Sequence, residues 1–179
     1  TQSSISQIAD YLDINIQYTI SSNGAFIWDR VNKKVIRDNF LNAAEINQVL
    51  LNPILKKLPI LFQYGKEGQD YAINFTQREI DLLRKLDYGE YKILSNNQWD
   101  KIQRANIVQI FIPKDPVKVE QIKNELLKHF HKGIYQSEFF NEELFDISKI
   151  GSTKGEALKY LSKLNILEHK STAAFRWWS

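Results

Sequence analysis

Residues 144–166 narrow the choice of fold more than any other stretch of this chain. Leu144, Phe145 and Ile147 read as a short apolar strand, a polar loop follows, and Ala157, Leu158, Leu161 and Leu164 then recur at helical spacing. Ser152 or Thr153 can cap that helix, because a hydroxyl there accepts from the first free N–H groups. Lys154 falls in the first turn, where a cation opposes the helix dipole. An anion bound at the helix N-terminus would account for a lysine in that place. The plainer reading is a solvated surface lysine.

The rest of the chain repeats the alternation of short apolar runs and amphipathic stretches. Ile5, Ile8, Ala9 and Leu12 predict a helix over Ser4–Leu12. Gln17–Ile20 reads as a strand, Ser21–Gly24 as a turn, and Ala25–Asp29 with Lys34–Arg37 as a hairpin. Asn42 is placed to cap a helix carrying Ile46, Val49, Leu50, Ile54, Leu55 and Leu58, with a kink expected at Pro53. Pro59–Gln63 and Tyr71–Phe75 are predicted strands, and Thr76 caps a helix over Arg78–Leu86. Tyr88–Asn97 fits no single template, and Gln98–Arg104 fits a short helix. Asn106–Ile112 is rich in β-branched residues and reads as a strand. An amphipathic helix over Val117–Phe130 follows, with Val119, Ile122, Leu126 and Leu127 inward, then strands at Ile134–Phe140 and Glu143–Ile147. Such alternation with short connections predicts an α/β fold.

At 179 residues the chain has room for one domain, or a domain and part of another. A hydrophobic share of 43% supports a packed core and argues against disorder. The net charge of +3 is mild and its lysines and acids are interspersed, so nucleic acid is not an expected partner. Trp28, Tyr64, Phe75, Tyr91 and Trp99 read first as sheet core and second as a stacking face for bases. His129, His131 and His169 read as solvated rather than as metal ligands. The absence of cysteine excludes disulfides and thiolate chemistry and fits a reducing cytoplasm. No apolar run reaches membrane-spanning length and no signal peptide is legible, so a membrane is not an expected partner either. With no methionine in the chain, Thr1 follows either a trimmed initiator or a start inside a longer reading frame.

Ser152-Thr153-Lys154-Gly155-Glu156-Ala157-Leu158, with Leu161 and Leu164-Asn165-Ile166, resembles the third motif of the Cof-type (subfamily IIB) phosphatases of the haloacid dehalogenase superfamily. Tyr18 to Asp29, around Asn23-Gly24-Ala25, resembles that family's Asn-Gly-Ala lead into its cap domain. The two blocks stand in the family's order and at about its spacing, so the resemblance covers nearly the whole chain. It implies an open mixed β-sheet cap with helices on one face, over residues 23–148. Residues 1–22 and 149–179 would be remnants of a Rossmann-like core. It further implies that Lys154 holds the substrate phosphate together with a nucleophilic aspartate. Thr1 would stand where a hydroxyl contacts the same phosphate, although Gln2-Ser3 follows where the family has Gly-Arg. Asn23 and Gly24 would be substrate contacts; they read first as a turn needing positive φ. The implied cofactor is Mg²⁺, and the implied partner a small phosphorylated metabolite such as a sugar phosphate or phosphorylated cofactor.

The family's chemistry needs an Asp-x-Asp-Gly-Thr motif, for nucleophile and general acid, and a Gly-Asp-x-x-Asn-Asp motif for the metal. Neither occurs in this chain. Ser171–Phe175 resembles the strand that leads to the second, but Arg176-Trp177-Trp178-Ser179 follows. That tail fits a frameshift at the metal motif or a natural aromatic terminus. The expectation is therefore a phosphatase fragment, inactive alone and binding no Mg²⁺ of its own, with the missing core segments as a further partner. The alternative is a non-catalytic phosphometabolite-binding or scaffold module. A basic nucleic-acid-binding domain is a weaker third.

Overall fold

The computed structural model describes residues 17–64, 68–113, 115–129, 135–141 and 144–164. Its strands are β1 (Tyr18–Ser21), β2 (Phe26–Asp29), β3 (Lys34–Asp38), β4 (Leu41–Asn42), β5 (Ile60–Gln63), β6 (Asp70–Ile73), β7 (Tyr91–Leu94), β8 (Arg104–Ala105), β9 (Ile107–Phe111), β10 (Tyr135–Asn141) and β11 (Leu144–Lys149). Its helices are α1 (Ala43–Leu51), α2 (Gln77–Lys85), α3 (Pro116–His129) and α4 (Lys154–Lys163). The helix predicted over Ser4–Leu12 lies outside the described residues, as do Thr1 and the 165–179 tail.

The runs apolar on both faces, Ile60–Gln63 and Ile107–Phe111, take the middle of a six-stranded sheet ordered β10-β11-β9-β5-β6-β7. Its pairs are antiparallel except β6–β7. A parallel pair needs a crossover, and α2 supplies it. On one face Ile60, Phe62, Ile73, Val108, Ile110, Phe145 and Ile147 pack with Ile46, Val49 and Leu50 of α1 and Ile122 of α3. On the other, Leu83 of α2 packs with Leu61, Ala72, Phe111 and Leu144. The mixed open sheet agrees with the expected fold class. Its helices do not all share a face, because the β6–β7 crossover carries α2 to the side of Leu61 and Ala72.

Local chemistry sets the element ends. The Asn42 side chain accepts from the N–H groups of Ala44 and Glu45, and Glu45 accepts from the Asn42 N–H. Thr76 donates from both its N–H and its hydroxyl to Glu79. Instead of continuing to Leu58 through a kink, α1 stops at Leu51. Pro53 disfavours helical backbone at Asn52, which turns extended (ψ 124°). Its side chain then accepts from Ile54 and Leu55 to start a separate 3₁₀ turn. Tyr88–Asn97 resolves into β7, and the short helix expected over Gln98–Arg104 is a 3₁₀ turn over Asn96–Lys101.

A second, smaller layer is the three-stranded antiparallel sheet β1-β2-β3. Ile27 of β2 is fully buried against Ala157 and Leu161 of α4, with Tyr18, Ile20 and Ile36 alongside. The β2–β3 hairpin thus packs on the helix that follows β11, although its residues fall in the 23–148 range assigned to the cap from sequence. Asp29 holds its turn by accepting from the backbone and side chain of Asn32. No helix among the described residues is long and apolar enough to cross a membrane.

Phe145 is fully buried among the α1 and α3 side chains. Phe145→Ala is expected to cost about 3–5 kcal/mol of stability, read as a lower urea midpoint. The hydrogen bonds from Asn32 hold the Asp29 carboxyl below its ordinary value of 3.8. A lowered folded value means stability present above about pH 4 and lost as pH falls through it. Asp29→Asn should therefore flatten the acid limb of the urea midpoint between about pH 5 and pH 2.

Candidate functional site

The site is built where two backbone segments meet. After β1 the chain turns through three consecutive residues with positive φ: Ser22 (53°), Asn23 (54°) and Gly24 (101°). The turn closes with the Ala25 N–H donating to the Ser22 carbonyl at 2.9 Å. Asn tolerates the left-handed region better than most residues. At Gly24 a close approach adds to the demand. A Cβ there would lie 2.2 Å from the Thr153 carbonyl oxygen and 2.8 Å from the Lys154 nitrogen. The Asn23–Gly24 turn is therefore seated on the first residues of α4.

The start of α4 is prepared by the 150–153 loop. Thr153, extended (φ −118°, ψ 153°), is the cap, and its hydroxyl accepts from the Glu156 N–H at 3.1 Å. Of the two cap candidates the structure selects Thr153, because Ser152 is fully buried and bonded elsewhere. Its hydroxyl accepts from the Asn39 side-chain amide at 3.0 Å and donates to the Asn39 carbonyl at 3.2 Å. Asn39 also donates to the Ile150 carbonyl at 2.9 Å, and Arg37 donates to the Gly151 carbonyl at 2.9 Å. The Arg37 guanidinium lies over the Tyr160 ring at 5.3 Å, so α4 is tied to β3 on a second level.

Lys154 is exposed, and among the described residues its ammonium has no hydrogen-bond or ion-pair partner. Glu156, the acid in the same turn, is engaged by Lys159 at 2.7 Å; that hydrogen bond draws the Glu156 carboxyl below its ordinary value and the Lys159 ammonium above its own. The Lys154 charge is thus left for solvent or an anion beside the Asn23–Gly24 turn. Of the residues singled out from sequence, the structure brings together Asn23, Gly24 and Lys154. Thr1 falls outside the described residues.

Arg37, Asn39, Ser152 and Tyr160 carry the geometry but were not singled out from sequence for it. Asn39 and Ser152 are 113 residues apart, so no local spacing reveals their pairing. Nearby, Arg104 pairs with Asp38 and lies over the rings of Phe40 (4.7 Å) and Tyr64 (5.6 Å). The hydrogen bond to Asp38 raises the already high pKa of the guanidinium. Lys149 pairs with Glu45 of α1 at 3.1 Å. Asp38, Phe40, Arg104 and Lys149, with Leu41 and Asn42, line a cleft of about 330 Å³.

Among the described residues no group of three His, Cys, Asp or Glu side chains stands close enough to hold a metal ion. The described residues do not fit the Mg²⁺ that the family resemblance implies.

The chain matches the profile of haloacid dehalogenase-like hydrolases over residues 1–175. Comparison with curated protein sequences gives no significant match. Among solved structures it is similar to a protein from Thermotoga maritima, with TM-score 0.71 and 14% identity over 91% of this chain and 59% of that one. A haloacid dehalogenase-like hydrolase from B. subtilis aligns with TM-score 0.64 and 17% identity, over 90% of this chain and 63% of the other. A subclass IIB sugar phosphatase aligns with TM-score 0.65 and 15% identity, over 89% and 57% of the two chains. The chain therefore spans roughly three fifths of the length of these structures.

The seating of Gly24 gives a direct test. Gly24→Ala forces a Cβ into backbone atoms at a φ of 101°, and is expected to destabilise the protein by about 3 kcal/mol. The measurement is the urea midpoint; a cost below about 1 kcal/mol would contradict the close approach.

Proposed function

This chain belongs to the haloacid dehalogenase-like hydrolase family, and we propose that within it the chain is the cap and phosphate-gripping part of a Cof-type phosphatase. The substrates of the whole enzyme are small phosphate esters, sugar phosphates or phosphorylated cofactors. Lys154, with the first turn of α4, grips the phosphate, and the Asn23–Gly24 turn borders it. Thr1 is assigned a second contact to the same phosphate. The single observation behind this reading is that the turn is seated against the Thr153–Lys154 backbone while Lys154 keeps its charge unpaired among the described residues.

We place the boundary between core and cap at about residues 38–41 and 149–151 rather than at 23 and 148, because β2 and β3 pair with β1 and pack on α4. The proposed setting is a reducing cytoplasm, in keeping with a chain that has no cysteine.

By itself the 179-residue chain is proposed to hold phosphate without hydrolysing its esters. The chain contains no Asp-x-Asp, and positioning without a nucleophile does not replace a covalent step. The lack of an acid cluster among the described residues equally favours a second reading, a module that binds phosphometabolites and never hydrolyses them. With an aryl phosphate and Mg²⁺, the purified chain should give no turnover above buffer, and measurable turnover sinks the inactivity. Lys154→Ala should weaken inorganic phosphate binding about tenfold. Supplying the absent core segments in trans separates the two readings: recovered hydrolysis supports the phosphatase fragment.

A further inference from the structure

We propose that Asn39 is the positioning residue of the phosphate grip, tying the Asn23–Gly24 turn to the loop that ends at Lys154. That the gripped group is a phosphate rests on the reading above; the tie itself stands on hydrogen bonds. The Asn39 N–H donates to the Ala25 carbonyl at 2.8 Å. Its side-chain amide has two hydrogens, one donated to the Ile150 carbonyl at 2.9 Å and the other to the Ser152 hydroxyl at 3.0 Å. The Ser152 hydroxyl returns a bond to the Asn39 carbonyl at 3.2 Å.

Asn39 thus bonds the residue after Gly24 on one side and the residue before Thr153 on the other, and Gly24 and Thr153 are the pair whose backbones touch. Ser152 is fully buried, so without the Asn39 side chain its hydroxyl would keep only the bond it donates to the carbonyl of residue 39 and lose the one it accepts. The side chain is matched to this place. Alanine supplies no donor, and aspartate of the same shape would set an acceptor against the Ile150 carbonyl. Asn39 is also the first residue beyond β3 on the path to α1.

The test titrates the isotope-labelled 179-residue chain with inorganic phosphate and follows the Lys154 and Gly155 amides by NMR. Asn39→Ala should raise the dissociation constant about tenfold, while the Val108 and Ile110 amides of the six-stranded sheet keep their wild-type shifts. Ser152→Ala, which leaves the side-chain bond from Asn39 to the Ile150 carbonyl intact, should shift affinity in the same direction by less. An unchanged constant in Asn39→Ala overturns the proposal, as does a loss that Ser152→Ala does not share. If Asn39→Ala unfolds throughout, Ser152→Ala decides by the same criterion. A wild-type chain that binds no phosphate refutes the phosphate reading, and hydrogen exchange then decides the tie. In that case Asn39→Ala must speed exchange at Ser152, whose N–H donates to the Lys149 carbonyl, about tenfold with Val108 unchanged; no acceleration there overturns it.

Discussion

The structure depends on one close approach, between the backbone of Gly24 and that of Thr153 and Lys154. No side chain fits between them, so the distance is set by main-chain atoms. It also joins the two ends of the described chain, since the turn after β1 meets the helix after β11. Everything between residues 39 and 149 is therefore an excursion that leaves and returns within a few ångströms. The paired crossing is held by Asn39 and Arg37 on one strand and the carbonyls of Ile150 and Gly151 on the other.

Around that crossing the charged contacts are secondary in energy. The Arg104–Asp38 pair is partly exposed, and exposed ion pairs contribute about 0–1 kcal/mol each. Stacking of Arg104 over Phe40 and Tyr64 adds an amount of similar size. The buried apolar clusters on the two faces of the six-stranded sheet and under α4 outweigh both. The ion pairs instead set direction. Arg104 ties β8 to the end of β3, and Lys149 ties the end of β11 to α1. The first runs from the end of the smaller sheet to the β4–β8 pair, and the second holds α1 on the six-stranded sheet.

Much of this was legible from residue patterns because it is local. The caps at Asn42 and Thr76 each act within three residues of themselves, as does Thr153, one of two candidates for its cap. The Arg30–Lys33 turn needs only Asp29 and Asn32. Where pattern reading faltered, a longer-range partner or a backbone restriction decided. β7 carries exposed Lys92 and Ile93 and is a strand because β6 pairs with it. The α1 helix ended early because proline acts on the residue before it. The resemblance that pointed to Lys154 also pointed to Asn23 and Gly24, but not to Asn39, Arg37 or Ser152, whose partners are more than a hundred residues away.

The amino-acid order alone determined that the chain is α/β, where most of its turns and caps fall, and which acidic motifs it lacks, because each of these is a property of neighbouring residues. Only the folded chain decided that the β2–β3 hairpin sides with α4, that α2 crosses to the other face of the sheet, and that Asn39 secures Ser152. Those outcomes depend on which apolar surfaces meet and on whether a buried polar group finds a partner, and neither is settled until distant segments are in contact.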